Sequence, residues 1–209
     1  MYIDLHTHSR NKSASTTAIV NTNTTLPTDG TLCSAGIHPW DIHNGWQKEI
    51  EQLRTKSHDK RVVAIGECGI DKVKSPASIE VQKEVLKAHA TIAEEAQKPL
   101  ILHCVKGLEE IIALHKEIKP QQAWIVHGFR GKPEQATQLL REGLYLSFGE
   151  KFNEESLAAT PLDRLFIESD ISSTPIEDIY KSIASKLQIS IEELCHNIKA
   201  NALSCNISI

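Results

Sequence analysis

The sequence has no surplus of basic residues. Its 23 lysine and arginine residues are outnumbered by 27 aspartate and glutamate residues, which gives a formal net charge of -4 at pH 7. A protein that holds long nucleic acid by broad electrostatic attraction normally needs a basic face. The composition therefore argues against that class, and we expect any chemistry on nucleic acid to be confined to a cleft.

Paired cysteines and long apolar segments are also lacking. The five cysteines are odd in number and contain no Cys-x-x-Cys pair, which argues against a disulfide framework or a thiolate zinc site and favours reduced thiols. No apolar run approaches the ~18 residues that a membrane span requires, and no signal peptide is recognisable. We therefore expect a cytoplasmic protein without membrane association, and the sequence indicates no obligate protein partner.

What the sequence does contain is a regular alternation of apolar strand-like runs and helical patterns. At 209 residues and 40% hydrophobic composition, the chain is large enough for one domain over residues 1–209. Helical spacing is present at residues 46–56, 78–98, 108–119 and 133–141 and in two C-terminal segments. Strand-like runs occur at residues 2–8, 18–20, 32–37, 61–67, 100–103, 123–127, 144–148 and 165–170.

This alternation predicts an α/β fold, a distorted (β/α)8 barrel of the TIM type. The early helices are reduced in this prediction, because residues 9–31 hold polar and turn-forming segments and no helix of ordinary length. An open, doubly wound parallel sheet is the alternative. The barrel is favoured because polar residues fall at the ends of apolar runs, as on a catalytic rim. The runs are separate except for that of His6 and His8, and the residues are His6, His8, His38, Glu67, His103, His127 and Asp170.

Each of these polar residues has an ordinary structural explanation when taken alone. His103 and His127 can donate to loop carbonyls, Glu67 can cap a helix, and Asp170 can begin a turn. Taken together they favour a shared ligand, because the burial of polar groups at several neighbouring strand ends is costly without one.

The chemistry of this set points to metal ions. His6 and His8 alternate on the first strand and so share a face, together with Asp4. Four histidines and two carboxylates are the ligand set of a two-metal hydrolase, so we predict two divalent ions and leave magnesium, manganese and zinc open. Glu67, with two oxygens, is predicted to bridge the ions. The other predicted ligands divide into His6, His8 and Asp170 at one ion and His103 and His127 at the other.

Asp170 and Glu67 are the predicted catalytic residues. Asp170 ends the last strand, where one oxygen can bind metal while the other faces a water molecule, so we predict that it accepts the proton of that water as the general base. The alternative is that Asp170 only coordinates or caps, and that Glu67 is the base.

Short motifs at the strand ends carry a resemblance to a known family. They are Asp4-Leu5-His6-Thr7-His8, Gly36-Ile37-His38-Pro39-Trp40, Gly66-Glu67-Cys68-Gly69-Ile70-Asp71, the helix with Gln82, Leu102-His103-Cys104, His127-Gly128-Phe129-Arg130-Gly131, Glu168-Ser169-Asp170 and Asn201. With them the chain resembles, nearly end to end, the TatD-like deoxyribonucleases of the metal-dependent amidohydrolase superfamily. The resemblance implies a distorted (β/α)8 barrel, divalent metal, and hydrolysis of phosphodiester bonds in DNA by a 3′ exonuclease. It also implies that His38 and Asp71 line or brace the substrate cleft.

The chain departs from the family pattern at two places that matter for phosphate binding. Family members commonly carry an Arg where this chain has Val105, and an Arg-Asn-Glu-Pro-like stretch where this chain has residues 171–175. Lys106 and Arg130 are the nearest cations, and we predict that they contact the phosphates of DNA or a nucleotide. The alternative is that both are solvated charges on the rim.

Three other functions compete with this prediction. The Asp-x-His-x-His opening also fits the PHP phosphoesterases, but that family expects a later Asp-x-His, and Asp170 is followed by Ile171 and Ser172. A small-molecule amidohydrolase or lactonase would use the same ligands. A catalytically silent metal-binding barrel is expected to have a broken ligand set, whereas all six positions are intact here.

Overall fold

Eight parallel strands form one sheet in which each strand pairs with the next along the chain. The computed structural model describes residues 1–9, 13–23 and 25–209. The strands are β1 (Tyr2–Thr7), β2 (Thr16–Thr22), β3 (Cys33–Ala35), β4 (Val62–Asp71), β5 (Leu100–Val105), β6 (Trp124–Val126), β7 (Tyr145–Phe148) and β8 (Leu165–Ile167).

Helices follow most of the strands. They are α1 (Trp46–Lys56), α2 (Ile79–Ala96), α3 (Leu108–Ile118), α4 (Pro133–Arg141), α5 (Glu154–Ala158), α6 (Ile176–Leu187) and α7 (Ile191–Ser204), with 3₁₀ turns at Pro39–Asp41 and Leu162–Arg164. Helix α5 and the two turns are too short for periodicity to predict them. Within the described part of the chain, no helix is both long enough and apolar enough to cross a membrane.

The sheet closes between its first and last strands. The backbone N–H of Asp170 donates to the carbonyl of His6 at 2.9 Å, and the N–H of His8 donates to the carbonyl of Asp170 at 3.0 Å. A parallel bridge pairs Thr7 with Asp170. The open-sheet alternative is therefore wrong, and the predicted (β/α)8 barrel is confirmed.

Helix α2 illustrates how the outer layer forms. The side chain of Ser78 caps the first turn by accepting from the N–H of Val81 at 3.4 Å, and Gln97 ends the helix in the left-handed region at φ 54°. Burying a large aliphatic side chain stabilises the fold by about 1.5–3 kcal/mol relative to exposure. The buried face that holds α2 in place consists of Gln82, Val85, Leu86, His89, Ala90, Ile92 and Ala93.

The early part of the barrel is reduced, as the sequence predicts. Among the described residues between β1 and β3, no helix is present, and residues 10–12 and 24 lie outside the described residues. Strand β2 is longer than the predicted residues 18–20. Its polar ends also pair with the neighbouring strands, Thr16 with Tyr2 of β1 and Asn21 with Ser34 of β3.

Strand β4 continues four residues beyond its predicted end at Glu67. Glycines normally weaken a strand, yet Gly66 (φ +135°) and Gly69 (φ +142°) lie inside this one. A Cβ atom at Gly69 would lie 2.1 Å from the carbonyl oxygen of His103, so only glycine allows β4 to approach β5 this closely. The two glycines therefore extend the strand to Asp71.

Candidate metal centre

The carboxyl ends of the strands bring the seven predicted rim residues to one mouth of the barrel. A cavity of about 390 Å³ opens there. Six rim residues line it, namely His8, His38, Glu67, His103, His127 and Asp170. The seventh, His6, is fully buried and has its Nε2 atom 3.3 Å from Glu67 Oε2.

The two carboxylate oxygens of Glu67 face different histidines. Glu67 Oε2 lies 3.3 Å from His6 Nε2 and 3.7 Å from His8 Nε2. Glu67 Oε1 lies 2.8 Å from both His103 Nδ1 and His127 Nε2. The carboxylate therefore stands between two groups of imidazoles, which is the position that a bridging ligand requires.

Among the residues that the structure describes, three sets of side chains have donor atoms close enough together to hold an ion. The sets are His6 with His8 and Glu67, His6 with His127 and Asp170, and His38 with Glu67 and His103. The predicted division placed His127 with His103, but its ring centroid lies 4.3 Å from that of His6 and 5.8 Å from that of His103. His38, predicted to contact substrate, has Nε2 3.1 Å from Glu67 Oε1 and is a candidate ligand as well.

The donor atoms themselves fit a divalent cation. Among the described residues, neither ring nitrogen of the buried His6 makes a well-aligned hydrogen bond, although Nε2 lies 3.3 Å from Glu67 Oε2. Such a group is costly unless something binds it. Burial, followed by the nearby His127, lowers the pKa of His6 below 6.5, which favours the neutral imidazole that metal binding needs. Burial alone would raise the pKa of Glu67, but His127, His103 and His38 hold it well below its usual range.

Two carboxylates behind the cluster orient its histidines. His127 Nδ1 lies 3.2 Å from Glu168 Oε1, and His103 Nε2 lies 3.1 Å from Asp71 Oδ2. Both rings thus have carboxylate oxygens at both nitrogens, whereas a neutral imidazole carries one N–H. Although burial opposes the shift, Glu67 and Glu168 raise the pKa of His127 well above 6.5 and so favour its protonated form when no cation is bound. A divalent cation would replace the proton on the nitrogen that faces Glu67, and the other N–H would donate to the outer carboxylate.

Glu168 is a residue of the cluster to which the sequence analysis gave no role. It is fully buried, and burial alone would raise its pKa, yet His127 lowers it. The sequence does contain an indication of a buried contact. Glu168 lies inside the apolar run of residues 165–170, and a carboxylate buried there needs a partner.

The sequence analysis did not identify Asn21 as a residue of the site either. Its side-chain Oδ1 accepts from the backbone N–H of Glu67 at 3.0 Å, and its Nδ2 donates to Glu67 Oε2 at 3.3 Å. Ser34 Oγ donates to the same Oδ1 at 3.3 Å. Asn21 therefore orients the central carboxylate, but its setting in a polar, threonine-rich stretch gives no sign of this role.

Asp71 braces the centre from behind the cavity wall. Its side chain is only 1% exposed. Asp71 Oδ2 accepts from Trp40 Nε1 at 2.6 Å, and Oδ1 accepts from the backbone N–H groups of Val73 and Lys74. Burial alone would raise its pKa, but these donors and His103 lower it to about 2. Of its two predicted roles, bracing fits this environment and direct contact with substrate does not.

Asp4 does not join the cluster, although strand alternation groups it with His6 and His8. The register of β1 shifts between Asp4 and Thr7. The Asp4 carboxylate accepts from the N–H of Ser169 at 2.8 Å and from its hydroxyl at 2.6 Å. Burial raises the pKa of Asp4 to about 7. Asp4 thus ties β1 to the segment after β8.

Lys106 and Arg130 line a second cavity of about 450 Å³. This cavity shares His103, His127 and Asp170 with the first one. The two cations therefore lie in a cavity that adjoins the cluster.

A closed (β/α)8 barrel with a histidine and carboxylate cluster at the carboxyl ends of its strands has the architecture of the metal-dependent hydrolases. Comparison with known proteins narrows this class. The sequence profile described as TatD related DNase matches residues 3–205, and the chain belongs to this family.

Curated relatives carry names of the same kind. The chain is 31% identical over 150 residues to the uncharacterized metal-dependent hydrolase YabD of Bacillus subtilis (strain 168), a match that covers 68% of this chain and 59% of YabD. It is 31% identical over 147 residues to the 3'-5' ssDNA/RNA exonuclease TatD of Enterobacter lignolyticus (strain SCF1), covering 66% of this chain and 56% of that protein. The chain thus spans less than two thirds of the length of these relatives.

Solved structures share the fold over almost the whole chain. YjjV, a TatD homologue from Escherichia coli K12, superposes with a TM-score of 0.83 at 19% identity, covering 98% of this chain and 97% of that one. A TatD family hydrolase from Entamoeba histolytica gives a TM-score of 0.74 at 16% identity, covering 98% of this chain and 97% of that one. At these identities the likeness concerns the fold alone.

Proposed function

We propose that this protein is a divalent-metal-dependent phosphodiesterase that removes nucleotides from the 3′ end of DNA. The observation that carries the proposal is the placement of Glu67, whose Oε2 faces His6 and His8 while its Oε1 faces His103 and His127. One carboxylate between two imidazole groups suits a pair of ions. Membership of the TatD related DNase family and a relative named as a 3'-5' exonuclease support the choice of substrate.

The proposed ligands are those around Glu67, with His38 added by its position. When bound, divalent ions lower the pKa of a water and neutralise charge on a phosphate. The imidazoles and carboxylates of this chain suit zinc or manganese, and the carboxylates with a phosphate substrate also suit magnesium. One group comprises His6, His8, Asp170 and Glu67 Oε2, and the other comprises His38, His103, His127 and Glu67 Oε1.

Asp170 is the proposed general base. Its Oδ1 atom lies 3.6 Å from His8 Nε2 and 3.8 Å from His6 Nε2, and the side chain is 22% exposed and lines both cavities. Backbone hydrogen bonds on both sides hold the residue at φ +53°, which fixes where its side chain begins. A carboxylate held at the cluster and open to solvent can accept the proton of an attacking water.

The remaining contacts are proposed to be few. Lys106 and Arg130 would bind one or two phosphates near the cluster, and the net charge of -4 disfavours wider contact with a duplex. Weak binding of long duplexes with a shallow salt dependence is the expected result.

The five cysteines are free thiols, which supports a reducing compartment such as the cytoplasm.

Metal reconstitution tests the proposal. Protein stripped with a chelator and reloaded with magnesium, manganese or zinc should cleave 5′-labelled single-stranded DNA one nucleotide at a time, and a blocked 3′ end should stop cleavage. His103→Ala should lose bound metal and activity, whereas His58→Ala, at an exposed histidine away from the centre, should retain both. Absence of cleavage with every ion, or faster hydrolysis of lactones or phosphomonoesters, would contradict the proposal.

A further inference from the structure

Trp40 is an exposed aromatic side chain beside the metal centre. It is 44% exposed, and it lines the same cavity as His38, Glu67 and Asp170. Among the described residues, only five large hydrophobic side chains are exposed, and Ile171, at 80%, lines this cavity too. Two of the five therefore meet at one opening, where apolar surface is retained in contact with water next to charged ligands.

The indole of Trp40 is held in place although it is exposed. Its Nε1 donates to the buried Asp71 at 2.6 Å, and its ring contacts that of His38 with centroids 4.7 Å apart at 79°. Lys74 Nζ lies over the ring, 4.5 Å from its centroid, so a ligand that stacks on the indole must use the opposite face or displace this cation. A fixed aromatic surface that opens on a cavity loses little conformational entropy when a flat ligand stacks on it.

We propose that Trp40, with Ile171, is the binding site for a nucleobase of the strand being cleaved. The inference rests on the proposed function and adds to it a contact with the base. Stacking on an aromatic ring tolerates any base but requires that the base leave its own helix. The site would therefore make the enzyme prefer single-stranded or frayed ends.

The positions of the two cavities fit this assignment. Trp40 and Ile171 line the first cavity, while Lys106 and Arg130 line the second, and both cavities border His103, His127 and Asp170. A strand whose scissile phosphate lies at the cluster can thus place a base on the apolar side. Its neighbouring phosphate can then lie on the basic side.

Equilibrium binding to two strands of equal charge tests the proposal. We would measure fluorescence anisotropy of labelled oligothymidylate and of an all-abasic strand of the same length, with protein in EDTA so that no cleavage interferes. The preference is the ratio of the two dissociation constants. Trp40→Leu should reduce this preference by about 10- to 100-fold, whereas Trp40→Phe, which keeps a stacking ring, should retain most of it. Leu203→Ala, an exposed apolar residue on α7, is the matched control and should change neither constant.

Each result decides the assignment. Ile171→Ser should lower the preference by less than Trp40→Leu does. Because Ile171 is 80% exposed, its replacement removes little buried surface from the fold. If the wild type cleaves DNA but both variants keep the wild-type preference, the base site is refuted and the nuclease function stands. If Trp40→Phe loses as much as Trp40→Leu, the effect runs through Asp71 and His103, and stacking is refuted. A wild type that neither binds nor cleaves either strand overturns both proposals.

Discussion

Acid should destabilise this protein through His89, a histidine that the metal centre does not use. His89 is fully buried on α2. Its Nε2 accepts from the backbone N–H of Ile37 at 2.9 Å, and its Nδ1 lies 2.7 Å from the carbonyl of Val85 and donates to it. The ring must be neutral to make the first of these bonds. It thereby holds the segment that leads into His38.

The magnitude follows from the pKa of His89. Burial lowers this pKa from 6.5 to about 4, although the bond to Val85 opposes the shift. Above pH 6.5 both folded and unfolded states are neutral at this site, so the full stability is present. Between pH 6.5 and 4 the unfolded chain binds a proton that the folded protein does not, so the free energy of unfolding falls. At roughly 1.4 kcal/mol per pH unit, the loss amounts to about 3 kcal/mol below pH 4.

Urea denaturation of metal-free protein, measured from neutral pH down to pH 4, checks this value. His89→Gln cannot titrate, so its free energy of unfolding should fall by about 3 kcal/mol less than that of the wild type over the same range. The comparison is between the changes in the free energy of unfolding with pH. A lower stability of the variant at neutral pH therefore does not affect it. His58→Gln, at an exposed position, controls for the general loss of a histidine. A His89→Gln protein with the wild-type pH dependence would refute the reasoning.

Other predictions address the centre and its scaffold. Asp170→Asn should lower kcat by about 10²- to 10⁴-fold while most metal remains bound, because the amide cannot accept the proton. Single-turnover cleavage combined with metal analysis tests this prediction. Normal cleavage at full metal occupancy would exclude the role of Asp170 as base. Asn21→Leu removes the hydrogen bonds that orient Glu67. It should weaken metal binding by about 10- to 100-fold in calorimetric titration, and an unchanged metal affinity would contradict the orienting role of Asn21. Gly69→Ala places a Cβ 2.1 Å from the His103 carbonyl at φ +142° and should destabilise the protein by several kcal/mol, so an unchanged urea midpoint would contradict it.

Sequence patterns were sufficient for the barrel and for the residues on its rim. His103 and His127 could be placed because each ends an apolar run, and parallel strands bring such ends to one mouth. The extension of β4 could not be predicted, because Gly66 and Gly69 are typical of a strand end and their role depends on contact with β5.

The residues that orient the ligands were harder to predict. The role of Asn21 depends on the tertiary neighbour Glu67, 46 residues away in the chain, and no local pattern encodes that distance. The choice between lining and bracing for Asp71 likewise depended on its burial under Trp40. Hydrogen bonds of this kind form between strand ends that only the folded barrel brings together.

The closure of the barrel at Thr7 and Asp170 has a consequence for biosynthesis. His6 and His8 are synthesised long before Asp170 and the β8 segment that positions it, because they precede both in the chain. A nascent or prematurely terminated chain that stops before β8 therefore has neither a closed barrel nor the proposed base. Synthesis itself thus delays the completion of the candidate metal centre until the scaffold that confines it is present.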